Sequence, residues 1–173
     1  HLVAERALVS ELSGILKTQP DQLRERVEKL VGELKAAEKQ IADLRAKSLV
    51  AGVDDMLSAA ETVGVLRLVA QVLPGVGGDE LRNLALTLRD RLGAVAGVVA
   101  LIGGPTDKPN LVVTTTEAAR EAGVKAGELV RVGAAKLGGR GGGRDDLAQG
   151  GGTDGTAAAE ALAAIKAECG GEH

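Results

Sequence analysis

Phenylalanine, tryptophan and tyrosine are all missing from this chain of 173 residues. The core must therefore be built from Leu, Val, Ile and Ala, and no nucleic-acid base can stack on an aromatic ring, the commonest chemistry of single-strand recognition. Cysteine is nearly absent too. Cys169 stands alone, which excludes an internal disulfide and points to a reducing, cytoplasmic compartment. The formal net charge is only -3, so the field of the whole molecule predicts no polyanionic partner, and any such partner must be read from local charge. There is no run of eighteen or more apolar residues and no basic, apolar leader, so no membrane partner is expected. His1 followed by "LVAERAL" reads as a chain cut from something longer. What remains is an ordinary globular balance, 45% hydrophobic and 26% charged, with room for one compact domain plus an extension.

Leu8, Leu12 and Ile15, flanked by Val9 and Leu16, have helical spacing over residues 2–17. "KTQPDQL" breaks the pattern, and Thr18 with Asp21 forms a T-x-x-D start signal for a second helix. In that helix Leu23, Val27, Leu30, Leu34, Ala37, Ile41 and Leu44 alternate steps of four and three, a heptad seam. Glu25 can pair with Lys29, whereas Glu28 meets only Gly32 ahead of it. The seam packs either on the first helix of its own hairpin or on a second copy of the chain, and both readings stay open here. Beyond Ala51, residues 62–73 read as a strand. Residues 77–92 form a helix capped by Asp79, with Leu81, Leu84, Leu88 and Leu92 on one face. Residues 94–103 and 110–116 are strands around a turn. A basic helix over roughly 125–137 runs into a glycine loop, and an Ala-rich helix spans 156–168. The expected fold is α+β: an antiparallel, coiled-coil-like helical hairpin in residues 1–50, then a small α/β globular domain with a mixed sheet in residues 51–173.

The loop "LGGRGGGRDDLAQGGG" (137–152) holds eight glycines. A Walker A loop fails because no lysine follows any of these glycines before Lys166. Gly150, Gly152 and Gly155 fit G-x-G-x-x-G by letter, but no buried strand precedes them, which argues against a dinucleotide site. Two readings remain: backbone contact with a sugar–phosphate surface through a nest of amides, or a structural loop packed against the sheet. From Arg120 to Arg144 six basic side chains face two acidic ones, a local patch suited to phosphates.

"KAGELVRVGAAKLGGRGGGRDDLAQGGG" closely resembles the end of bacterial alanyl-tRNA synthetases, where a basic helix runs into a signature like GGGRPDMAQ. Asp145 stands here where that family usually has Pro, and Leu147 where it often has Met. "AERALVSELSGILKTQPDQLRERVEKLVGELKAAEKQI" is similar to the helical segment that follows the family's editing domain. The resemblance spans about Leu2 to Glu168 and implies the C-terminal domain of such an enzyme, a helical subdomain plus a DHH-associated globular one. It implies dimerisation through the arm, here Leu23, Val27, Leu30, Leu34, Ile41 and Leu44. It also implies docking on the tRNA elbow, tRNA-Ala being the expected partner, so that aminoacylation and editing act on one bound tRNA. The RNA-contact candidates are Lys125, Arg131, Lys136, Gly139, Arg140, Gly141, Gly142, Gly143, Arg144, Gln149, Gly150, Gly151 and Gly152.

Nothing here resembles the ATP-binding sheet of a class II synthetase, and no catalytic residue is assigned. ATP and zinc are expected only in the parent enzyme's other domains. Cys169 and His173 have the C-x-x-x-H spacing of the family's editing metal site, but two ligands cannot close a zinc site. Cys169 instead continues the apolar face of Ala158, Leu162 and Ile165 and is expected to be a small buried hydrophobe. Two other classes compete. One is a nucleic-acid-binding appendage of a DHH-type phosphoesterase or free-standing editing hydrolase, disfavoured because this loop lacks the histidine of a GGGH-like motif. The other is a coiled-coil oligomerisation domain without RNA contact.

Overall fold

The computed structural model describes residues 1–171, so His173 of the C-x-x-x-H pair lies outside the described residues. The chain divides into two compact units, His1–Ser48 and the residues from Leu49 onward. Among the described residues no helix is long and apolar enough to cross a membrane.

The first unit is helical. α1 (Leu2–Leu16) ends where Lys17 adopts a left-handed conformation (φ 51°), which lets the N–H groups of Lys17 and Thr18 close on the carbonyls of Gly14 and Ser13. A 3-10 turn over Pro20–Gln22 leads into α2 (Leu23–Ala51). The expected Thr18–Asp21 start signal is not used. Gln19 holds the N-cap of the turn without a side-chain bond, because Pro20 already supplies the fixed φ of a first helical position. Glu28 also has a partner, contrary to expectation: it accepts from Arg24 one turn behind it, at 2.9 Å. Among the described residues the seam of α2 is only partly covered. Leu23 and Leu30 are half-buried, while Val27, Leu34, Ile41 and Leu44 are exposed, Leu34 at 60% and Leu44 at 66%.

The second unit begins with α3 (Val53–Ser58), whose Val53 anchors it in a core. The run read as one strand over 62–73 is in fact a hairpin, β1 (Glu61–Val63) and β2 (Leu66–Pro74). Val63 pairs with Leu66, and Gly64 takes the positive φ (61°) that a two-residue turn requires. α4 (Gly78–Leu92) buries Leu81, Leu84, Leu88 and Leu92 as the period dictates. Its N-cap is Gly77 rather than Asp79, and Asp79 with Glu80 sits in the first turn, where the helix dipole favours negative charge. β3 (Gly97–Gly104) then pairs in parallel with β2 and antiparallel with β4 (Asn110–Thr115).

α5 (Glu117–Glu121) is capped by Thr116, whose hydroxyl oxygen accepts from the Ala119 N–H and the Gly97 N–H and donates to the Val95 carbonyl. α6 (Ala126–Lys136) follows. The segment read as a glycine loop is two strands, β5 (Gly141–Gly143) and β6 (Leu147–Gly151), before α7 (Ala158–Cys169). The six strands form one mixed sheet in the order β1-β2-β3-β4-β6-β5.

That sheet is packed on both faces. Val98, Ala100, Ile102, Leu111 and Val113 point to α6 and α7, while Val99, Leu101 and Val112 point to α4. The strand period of two thus divides an unbroken apolar run between two cores, which explains why β3 shows no polar alternation in sequence. Gly133 lets α6 come close: a Cβ there would lie 2.7 Å from Leu111 and 2.8 Å from Ile165.

Candidate nucleic-acid interface

Sterics account for most of the glycine concentration. A Cβ on Gly139 would stand 2.0 Å from the Gly151 carbonyl oxygen, one on Gly152 2.1 Å from that of Leu137, and one on Gly141 2.2 Å from Val130. Backbone meets backbone and helix here at distances no side chain permits. The amides are committed as well. Gly139 N–H donates to Ala134, Gly151 N–H to Arg140 and Gly152 N–H to Pro109. A phosphate nest needs free N–H groups, so that physical reason for the glycines is corrected: side chains are absent so that β5, β6 and the end of α6 can pack. Gly142 differs. A Cβ there would meet nothing within 4 Å.

The β5–β6 turn, Arg144–Asp146, is fixed through its carbonyls. The Asp145 oxygen accepts from the Thr115 hydroxyl (2.6 Å) and the Ala126 N–H (2.9 Å). That of Asp146 accepts from the Thr114 hydroxyl (2.7 Å) and the Thr115 N–H (3.1 Å). Because main-chain groups hold the turn, the side chains of Arg144 and Asp145 are left to solvent, while Asp146 is half-buried. The Asp145 N–H donates no hydrogen bond among the described residues, so a proline, which has none to give, would cost no bond there.

The structure divides the sequence-predicted contacts between two layers. Arg144, Gln149, Gly142 and Gly143 line a cleft of about 460 Å³ opposite α4, whose Arg82, Leu86 and Arg89 form the other wall. Arg140 is exposed just ahead of β5. Arg131 and Lys136 are exposed on α6, and Lys125 at its N-cap, in the layer covering the opposite face of the sheet. Of the remaining glycines, Gly150 and Gly151 lie in β6, facing Gly141 and Pro109 respectively.

Arg82 and Arg89 escaped the sequence reading. A signal existed, since Arg82, Leu86 and Arg89 fall at i, i+4 and i+7, but the leucine stripe of the same helix hid it. The Arg89 guanidinium donates to the Thr114 hydroxyl (3.3 Å), which in turn donates to the Asp146 carbonyl, so α4 and the hairpin turn are tied through one hydroxyl. A neighbouring cavity of about 390 Å³ shares Arg89 and Asp146 and adds Arg120, which is fixed by its bond to the Thr115 carbonyl (2.7 Å). Asp90 and Glu117 also line it, so with Asp146 three carboxylates face two guanidinium groups there.

Among the described residues no three His, Cys, Asp or Glu side chains are grouped to hold a metal. Cys169 is half-buried against the α6–α7 core. Burial, reinforced by the neighbouring Glu168, pushes its thiol up to about 11, so it is neutral at physiological pH and a poor metal ligand or nucleophile.

An α+β unit of this kind, with a glycine hairpin closing its mixed sheet, is a DHHA1 domain, and the profile of that family matches residues 66–171. The C-Ala domain of Aquifex aeolicus alanyl-tRNA synthetase superposes with a TM-score of 0.59 at 37% identity, covering 64% of this chain and 97% of that one. Alanine–tRNA ligase of Cutibacterium acnes is 52% identical over 97% of the chain, and that of Thermobifida fusca 45% over 94%. The chain belongs to the C-terminal domains of alanyl-tRNA synthetases. It spans only 19% and 18% of the length of those two relatives. RecJ from Thermus thermophilus shares the fold at 20% identity with a TM-score of 0.51.

Proposed function

We propose that this domain binds tRNA at its elbow and joins a second copy through the α2 seam, serving aminoacylation and editing carried out elsewhere in the parent enzyme and catalysing neither itself. The observation that carries the reading is the likeness to alanine–tRNA ligases over 97% of the chain, joined to the likeness to a C-Ala domain over 64% of it. The local charge supports it. Six basic against two acidic side chains lie between Arg120 and Arg144 in a chain of net charge -3, and Arg140, Arg144 and Gln149 are exposed around the hairpin. Arginine forks bind phosphate oxygens in pairs, so contacts of this kind position an RNA backbone without reading its sequence. Lys125, Arg131 and Lys136 offer a second basic flank on α6. The glycines beside the arginines hold the hairpin that presents them, and Gly142 alone leaves room for close approach to the backbone.

Binding of tRNA should weaken as salt rises, log affinity falling by about 0.7 to 0.9 per phosphate neutralised for each unit of log salt. Replacing Arg140 and Arg144 together with Ala should weaken tRNA-Ala and an unrelated tRNA alike and flatten that slope. A double variant that binds tRNA at wild-type strength across the salt range would refute the assignment.

A further inference from the structure

We propose that the cleft between α4 and the β5–β6 hairpin seats one nucleotide of the bound RNA, its phosphate on the guanidinium groups of Arg82 and Arg144 and its base against Leu86 and Leu147. The proposal rests on the RNA-binding reading above and adds which side of the domain the RNA occupies and what holds it. The cleft, about 460 Å³, falls in the size range of small-ligand sites.

Its lining suits both halves of a nucleotide. Arg82 and Arg144 form no ion pair among the described residues, although Asp146 shares the wall. Two guanidinium groups therefore face the cleft without a carboxylate partner. Arg89 adds a third that is already fixed, through its bond to the Thr114 hydroxyl, and a fixed donor has less conformational freedom to lose on binding. A phosphate site alone would need only cations. Here Leu86 and Leu147 add apolar wall, and the Gln149 amide beside them can both donate and accept, as a base edge requires. In a chain without Phe, Trp or Tyr, aliphatic side chains and guanidinium planes are the surfaces left for a base in this cleft, and it supplies both. Gly142 is paired with Gln149 across the hairpin, and the space where its side chain would stand is open.

The test is salt-titrated binding of tRNA to the whole chain in four versions: wild type, Arg82→Gln, Gly142→Val and Arg67→Gln. Arg67 lies on β2 at the far side of the sheet and serves as a charge control. Thermal melts confirm that each variant is folded, and Gly142→Val adds bulk where no neighbour stands within 4 Å of the new Cβ. Arg82→Gln is expected to weaken binding about tenfold and to lower the salt slope by about 0.7 to 0.9. Gly142→Val is expected to weaken binding by a similar factor at unchanged slope, because it removes space and no charge. Arg67→Gln should stay within about twofold, as an exposed charge remote from the site contributes little. If wild type binds tRNA and both cleft variants bind equally well, the seat is refuted while the RNA-binding function stands. A loss in Arg82→Gln alone, with Gly142→Val neutral, also overturns the seat and leaves a surface phosphate contact. Absence of binding by wild type removes the function and the seat together.

Discussion

The helical arm and the sheet domain use the same residue types to opposite ends. In the sheet domain Leu88 is fully buried between α4 and the sheet, whereas Leu34, an equally periodic leucine on α2, stays 60% exposed. Glycine shows the same contrast. A Cβ added to Gly14 or Gly32 in the arm would meet nothing within 4 Å, while Gly139 and Gly152 are locked against backbone. Periodicity therefore states which face of an element is apolar and not where its cover comes from. The sheet is covered on both faces, whereas most of the α2 seam stays exposed among the described residues.

The contrast is sharpest when one leucine of each kind is truncated. Leu88→Ala should destabilise the sheet domain by about 2 to 5 kcal/mol, the cost of a filled core position plus the cavity left behind. Leu34→Ala should change the stability of the sheet domain by less than about 0.5 kcal/mol, because Leu34 belongs to neither of its cores. Chemical denaturation measures both, and equal effects would mean that the arm shares a core with the sheet. Next in size is a glycine pair within the hairpin. Gly139→Ala drives a methyl group into the Gly151 carbonyl and should cost about 3 kcal/mol or more, whereas Gly142→Ala, facing open space, should stay within about 0.5 kcal/mol. The smallest effect has the opposite sign. Gly32→Ala, in the middle of an exposed helix, should stabilise the arm by about 0.5 to 1 kcal/mol, read as increased helicity and a higher melting temperature.

The same contrast explains how much could be read beforehand. α2, α4, α6 and α7 were legible because each repeats apolar residues over three turns or more, and β3 and β4 because their β-branched runs are bounded by turn residues. α3 and α5 are too short to show a period. β5 and β6 were invisible for a physical reason. Strand recognition depends on side chains alternating between two faces, and β5 is three glycines with no side chain to alternate. Only its pairing with β6 makes it a strand. The hairpin arginines could be located through their resemblance to a known signature. Arg82 and Arg89 could not, because they share a helix with a stronger leucine stripe and reach the hairpin only through the tertiary fold. The reason for the glycines was open in sequence, and the distances settle it as packing.

On the function proposed above, the α2 seam becomes a core only when a second copy of the chain supplies the other half. Sedimentation velocity of the whole chain, compared with the Leu30→Asp, Leu34→Asp double variant, decides the point. A dimer is expected for the unaltered chain and a monomer, with the sheet domain melting as before, for the variant. A wild-type monomer, or a variant that remains dimeric, would contradict it.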